Sequence, residues 1–191
     1  QWSAGIPTLA VGKLPPEAAT RFLLLRTEDK RRPDPDAPAA AATLAAELDH
    51  LALALEQAGA HIARQRLSFG QYLEKWRHQQ QAVLKWHDPR LMHYPASVAT
   101  TWQTSFAQLQ PPARALLERL AWLAPDPIPE SLLETPIPDL ATDEGDPTEA
   151  LAELEAYSLI TRAAERPEFS VHRLVQAVTR HDLQGDGVPE R

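Results

Sequence analysis

His172 is the side chain best placed for chemistry in this sequence. It follows the run Glu168-Phe169-Ser170-Val171 and precedes a helical pattern that opens with Arg173 and Leu174. A histidine where a strand hands over to a helix stands beside the free amides of the first helical turn. That end of a helix favours anions, and a neutral imidazole there adds one donor toward a phosphate oxygen. The same positive end disfavours imidazolium until an anion arrives. The position equally suits a histidine that only caps a core helix or bonds a loop carbonyl. A metal is the other chemistry to weigh, through His87, Asp88 and His93. Their spacing matches no familiar helix or knuckle pattern, so they read as solvated loop residues and no metal ligand is expected.

Motifs for catalysis are absent from the sequence. There is no G-x-x-x-x-G-K-[ST], G-x-G-x-x-G, G-x-S-x-G or H-E-x-x-H, and none of the seven glycines precedes a lysine and hydroxyl pair. Phosphoryl transfer needs backbone amides, a lysine and a metal around the phosphates. The chain is therefore expected to be non-catalytic on its own, with no catalytic residue and no cofactor held by this chain alone.

Composition narrows the class further. A net charge of -7 argues against a nucleic-acid surface, which normally carries a basic face. With no cysteine there is neither a disulfide framework nor a thiolate metal site, which is compatible with a cytoplasmic location. No basic flank leads an apolar run at the N-terminus, and no apolar stretch approaches the ~18 residues of a membrane helix. Eighteen prolines against seven glycines point to helices joined by stiff connections. A hydrophobic content of 43% over 191 residues suffices for packed cores.

These residues need elements to position them. Pro7-Thr8-Leu9-Ala10-Val11 reads as a short strand whose sheet partners lie outside the chain, since a lone strand leaves its ladder groups unpaired. Pro16 and Glu17 open a helix with Phe22, Leu23 and Leu25 as apolar surface. Residues 28–38 are charged and proline-rich and read as a surface linker. Helical spacing returns at Leu44, Leu48, Leu51, Leu55, Ala58 and Ile62, with Gly59 permitting close packing. Ser68 is a candidate N-cap for a helix through Tyr72, Leu73, Trp76 and Val83, and the pattern breaks at His87-Asp88-Pro89-Arg90.

The second half begins near Tyr94-Pro95. Ser97 is a candidate N-cap for a helix carrying Val98, Trp102, Phe106 and Leu109. Pro111-Pro112 starts another, burying Leu116, Leu117, Leu120 and Leu123, and a short helix around residues 129–133 follows. After an acidic loop over residues 139–146, Asp146-Pro147-Thr148-Glu149 is a strong helix start. The runs Leu159-Ile160-Thr161-Arg162 and Glu168-Phe169-Ser170-Val171 predict a hairpin with Phe169 and Val171 on one face. A last helix carries Leu174, Val175, Val178 and Leu183. The fold class is mainly α: a helical bundle subdomain, then helices, hairpin and closing helix in winged-helix order.

Three motifs, in this order, resemble the downstream part of an NB-ARC-type STAND NTPase. Val171-His172-Arg173-Leu174-Val175-Gln176 resembles the methionine-histidine-aspartate motif, with Val171 for methionine and Arg173 for aspartate. The resemblance implies that His172 contacts the β-phosphate of bound ADP, while the aspartate's orienting role has no counterpart. Leu51-Ala52-Leu53-Ala54-Leu55 resembles the glycine-leucine-proline-leucine motif, with His50 for glycine and Ala52 for proline. By resemblance, Leu51, Ala52 and Leu53 pack beside the nucleotide at a helix start. Thr101-Trp102-Gln103-Thr104-Ser105-Phe106 resembles the opening of the family's winged-helix domain.

The division this implies is a remnant strand of the nucleotide-binding domain in residues 1–14, a helical ARC1-like subdomain in 15–93, a winged-helix domain in 94–184, and a tail or linker in 185–191. The resemblance also implies ADP or ATP with magnesium in the complete protein. Its expected partners are the nucleotide-binding domain in cis, a C-terminal repeat domain in cis and further copies on activation, with no nucleic acid and no membrane. Two other readings remain: a free-standing helical protein-protein adaptor, and a winged-helix DNA-binding regulator. The third helix of the second half speaks against the latter, since it carries Glu149, Glu153 and Glu155 with no lysine or arginine.

Overall fold

The computed structural model describes residues 13–87, 95–124, 126–134 and 146–185. Among them are eight α-helices and one small antiparallel sheet. The expected strand at residues 7–11, the loop residues 88–94, most of the acidic loop and the last residues of the tail lie outside this set.

Helices α1 (Pro16–Arg26) and α2 (Ala37–Glu47) form the first pair. Pro16 sits in the first turn, where the missing amide costs nothing. The expected linker is shorter than its composition implied, because α2 begins at Ala37 and takes in Pro38 at its first turn. Helix α3 (Ala52–Gln65) ends on Arg66 in the left-handed region, and α4 (Phe69–Trp86) starts from a capping box. Gln71 N donates to Ser68 Oγ at 3.2 Å and Ser68 N donates to Gln71 Oε1 at 3.0 Å, satisfying two otherwise free amides.

The second half runs α5 (Ala96–Phe106), α6 (Pro111–Leu120), β1 (Ile128–Pro129) with a 3-10 turn (Glu130–Glu134), α7 (Pro147–Ala156), β2 (Ile160–Arg162), β3 (Glu168–Val171) and α8 (Arg173–Gly185). Asp146 caps α7 by accepting from Thr148 N at 2.8 Å, as its sequence signature predicts. Two expectations are corrected. Ser97 does not cap α5; Pro95 holds that position, its fixed φ of -66° starting the helix earlier. Leu123 is not buried, because α6 stops at Leu120 and the helical period no longer applies.

The hairpin gains a third strand. Central β3 pairs β2 through Ile160↔Val171 and β1 through Ile128↔Phe169. Phe169 and Val171 are buried on one face, and Pro129 sits on an edge strand where its missing donor is tolerated.

Two apolar clusters result. The first gathers Leu23, Leu44, Leu55, Ile62, Tyr72 and Trp76 from α1 to α4. The second gathers Trp102, Phe106, Leu117, Leu154, Tyr157, Phe169 and Val175 from α5 onward, with Trp102 and Phe106 stacked at 4.5 Å. Each such side chain contributes about 1.5–3 kcal/mol on burial. The clusters interlock: Val83 of α4 joins the second and Val98 of α5 joins the first.

Candidate functional site

Local geometry fixes His172 at the junction of β3 and α8. Val171 anchors one side, buried in the sheet opposite Ile160, and Val175 anchors the other in the core. The His172 carbonyl accepts from Gln176 N at 3.1 Å, closing the first turn. Its side chain is exposed, and Nδ1 accepts from Leu174 N at 3.2 Å. An accepting Nδ1 carries no proton, so the neutral ring holds its proton at Nε2, which remains a donor. Partial burial, and then the neighbouring Arg173 guanidinium, push the His172 pKa below the ordinary histidine value. The arrangement is a capped helix start presenting a neutral N–H donor beside an exposed arginine.

Gln176 holds this corner in place, a role the sequence did not reveal. It is buried, and its Nε2 donates to Leu120 O and Leu123 O at 3.1 Å each. Arg180 adds a bond to Ala121 O, so α8 is fastened to the open end of α6. Amide and guanidinium here satisfy carbonyls that a helix terminus leaves free.

The other motif occupies the start of α3. Leu51 is the extended residue before the helix, half-buried, with Ala52 exposed at the first helical position and Leu53 half-buried. Immediately before it, Asp49 and His50 both have positive φ, at 57° and 55°. His50 stands where the resembling motif has glycine, and the left-handed backbone explains that preference physically. Leu14 N donates to His50 O at 2.9 Å, holding the turn. Leu51 and Leu53 pack against the first cluster, and so does Leu174, two residues beyond His172, which also packs against the second. Both motifs therefore adjoin one apolar cluster.

Sequence reasoning also passed over a row of polar residues on α3. Gln57, His61 and Gln65 recur every four residues, and the last two meet the second half of the chain. Gln65 Nε2 donates to Tyr157 OH at 2.6 Å, and His61 Nδ1 lies 3.4 Å from Ser105 Oγ. Beside them Glu56 accepts from Ser158 Oγ at 2.8 Å. The four-residue spacing was the available signal.

The remaining expectations concern absent chemistry. Among the described residues no group of three His, Asp or Glu side chains could hold a metal ion, and no helix is long and apolar enough to cross a membrane. Asp88 and His93 lie outside those residues. On α7, Glu149 and Glu155 are exposed, while Glu153 accepts from Gln110 N at 3.3 Å.

Comparison with known proteins adds two findings. The model of a domain of unknown function (DUF7779) matches residues 104–187, from the end of α5 through α8. A nucleotide-binding leucine-rich repeat (NLR)-like protein of Hyaloscypha variabilis is 29% identical over 156 residues, covering 75% of this chain. The chain spans 15% of the length of that relative. The similarity points to an NLR-related family.

Proposed function

We infer that this chain is the regulatory half of an NB-ARC-type STAND nucleotide switch. In this reading a helical subdomain (15–93) and a winged-helix domain (94–184) close over ADP held by a nucleotide-binding domain elsewhere in the protein. The observation that carries the reading is the tautomer of His172. With Nδ1 occupied by the Leu174 amide, Nε2–H is the free donor, as a contact to a β-phosphate oxygen requires. The order of α5, α6, α7, the small sheet and α8 supports the winged-helix assignment. Similarity to an NLR-like protein supports the signalling context.

Leu51, Ala52 and Leu53 then pack beside the nucleotide at the start of α3, and His172 closes the second half onto the diphosphate. Exchange for ATP with magnesium removes the His172 contact. The winged-helix domain rotates away and exposes surfaces for self-assembly. A contact made in one state only supplies coupling of about 1–3 kcal/mol. Phosphate loop and magnesium ligands come from the nucleotide-binding domain, and a repeat domain follows residues 185–191. The chain itself catalyses nothing, and the setting is cytoplasmic. The complete protein, purified without added nucleotide, should carry bound ADP; a nucleotide-free preparation that takes up no ADP would contradict the reading.

A further inference from the structure

His61 is an imidazole that touches both apolar clusters. It is fully buried on α3. Its ring meets the edge of Tyr72, a first-cluster residue, at 5.2 Å and that of Tyr157, a second-cluster residue, at 5.6 Å. Nδ1 faces Ser105 Oγ on α5, and Nε2 finds no hydrogen-bond partner among the described residues. On α3 both amide atoms of buried Gln57, and on α5 the Nε1 of buried Trp102, are also unpartnered among the described residues. Unsatisfied buried polar atoms are uncommon, and these belong to α3 and α5, the two helices that meet at His61 and Ser105. They lower the cost of parting this seam, because water would satisfy each of them.

We propose that His61 is a proton-sensitive joint: neutral, it seals the seam between α3 and α5, and protonated, it parts the two clusters while each keeps its own core.

The surroundings offer imidazolium no free anion. From α4 come the Tyr72 ring and the Lys75 ammonium, whose charge opposes a second cation. Helix α5 presents the Ser105 hydroxyl, and the end of α7 presents the Tyr157 ring. On α3 itself, Gln65 is spent on Tyr157, and Glu56 is held by Arg26 and Ser158. Protonation would turn Nε2 into a charged donor facing no acceptor in a low-dielectric site. Burial first, and then Lys75, lower the His61 pKa from 6.5 to about 4. The closed seam thus binds fewer protons than the open one, so it is favoured above pH 6.5 and weakens progressively toward pH 4. At pH 5 the open form should gain about 30-fold over its share at neutral pH. This inference stands independently of the nucleotide reading.

The sequence has no cysteine, so a single introduced thiol reports a single place. Ala60→Cys puts a buried thiol on α3 next to His61 and outside both clusters, while Ala41→Cys and Ala113→Cys put it inside the first and second clusters. Labelling by dithiodipyridine, which reacts at acid pH, would be measured at pH 7.5 and 5.0 and normalised to a free thiol. The rate at position 60 should rise about 30-fold and at both pH values exceed the slower rates at positions 41 and 113, which report unfolding of the whole chain. His61→Phe, which keeps a ring but no proton, should abolish the rise; His61→Gln serves if the phenylalanine variant fails to fold. The joint is overturned if position 60 shows no rise, if all three thiols are labelled at one common rate as in global unfolding, or if the rise persists without the imidazole.

Discussion

Arg26 lies so close against Gly59 that a Cβ on that glycine would stand 2.7 Å from Arg26 Cγ. The approach aims Arg26 Nε at Glu56, 2.9 and 3.2 Å from its two carboxylate oxygens. Glu56 in turn accepts from Ser158 Oγ in the turn between α7 and β2. One missing methyl group thus permits a link from α1 through α3 to the second half of the chain.

Gly59→Ala should test that link through two opposed effects. Alanine favours the helix by about 1 kcal/mol over glycine. Against this, the added carbon must displace Arg26, and overpacking costs about 1–3 kcal/mol. A net loss near 1 kcal/mol in urea unfolding is expected. Gly70→Ala is the control, because its Cβ would meet nothing nearer than Ser68 Oγ at 3.9 Å, and it should be neutral or stabilising. Equal gains from both substitutions would show that Arg26 moves aside freely.

The start of α3 should accept the residues of the motif it resembles. His50 at φ 55° stores strain that glycine relieves. Leu51 already has the extended backbone, φ -79° and ψ 122°, that proline imposes on its predecessor. Ala52→Pro should therefore stabilise by about 0.4–1 kcal/mol, and His50→Gly should be neutral or better. A fall in the urea midpoint on either substitution would mean that the turn is held by side-chain contacts not accounted for by its backbone.

Removing the Gln176 amide should unfasten α8 from α6. Gln176→Met keeps the volume but removes the amide donor from Leu120 O and Leu123 O, the first of which still accepts from Leu123 N at 3.2 Å. The expected cost is about 2 kcal/mol, seen as a lower melting temperature. An unchanged melting temperature would place water at those carbonyls.

Much of the fold was legible because its signals are local. Ser68 with Gln71, Asp146 with Pro147, and Pro111 at a first turn each satisfy their helix starts from neighbouring residues. Ser97 misled because Pro95 preset the backbone two residues earlier. Strand β1 has two residues, too few for an alternating pattern, and exists through its pairing with β3 forty residues downstream. His172 was visible from its place between strand and helix, whereas the hydrogen bond that selects its tautomer was not. His61 was hidden because a polar row on a helix normally marks a solvated face, and here it lies under the second half of the chain.

Stability of the whole chain should also follow His61. Its folded-state pKa of about 4 lies below the ordinary 6.5, so the unfolded chain binds more protons between those values. Stability is retained above pH 6.5 and falls as pH drops toward 4, by up to about 3 kcal/mol from this residue. Urea titrations at several pH values should show that slope, flattened in His61→Phe. Parallel slopes for the two proteins would assign the acid loss to other groups.

The central claim concerns His172 and is tested most directly in the complete protein, by release of a fluorescent ADP analogue from wild type and His172→Ala. A hydrogen bond to a charged group contributes roughly 1.5–3 kcal/mol, so release should accelerate about ten- to a hundredfold with ATP binding little changed. Melting temperature should fall by no more than the loss of one helix cap, about 1 kcal/mol, while Leu174→Ala, packed against both clusters, should lower it further. Equal ADP release from the two folded proteins would contradict the account and reduce His172 to a cap on α8.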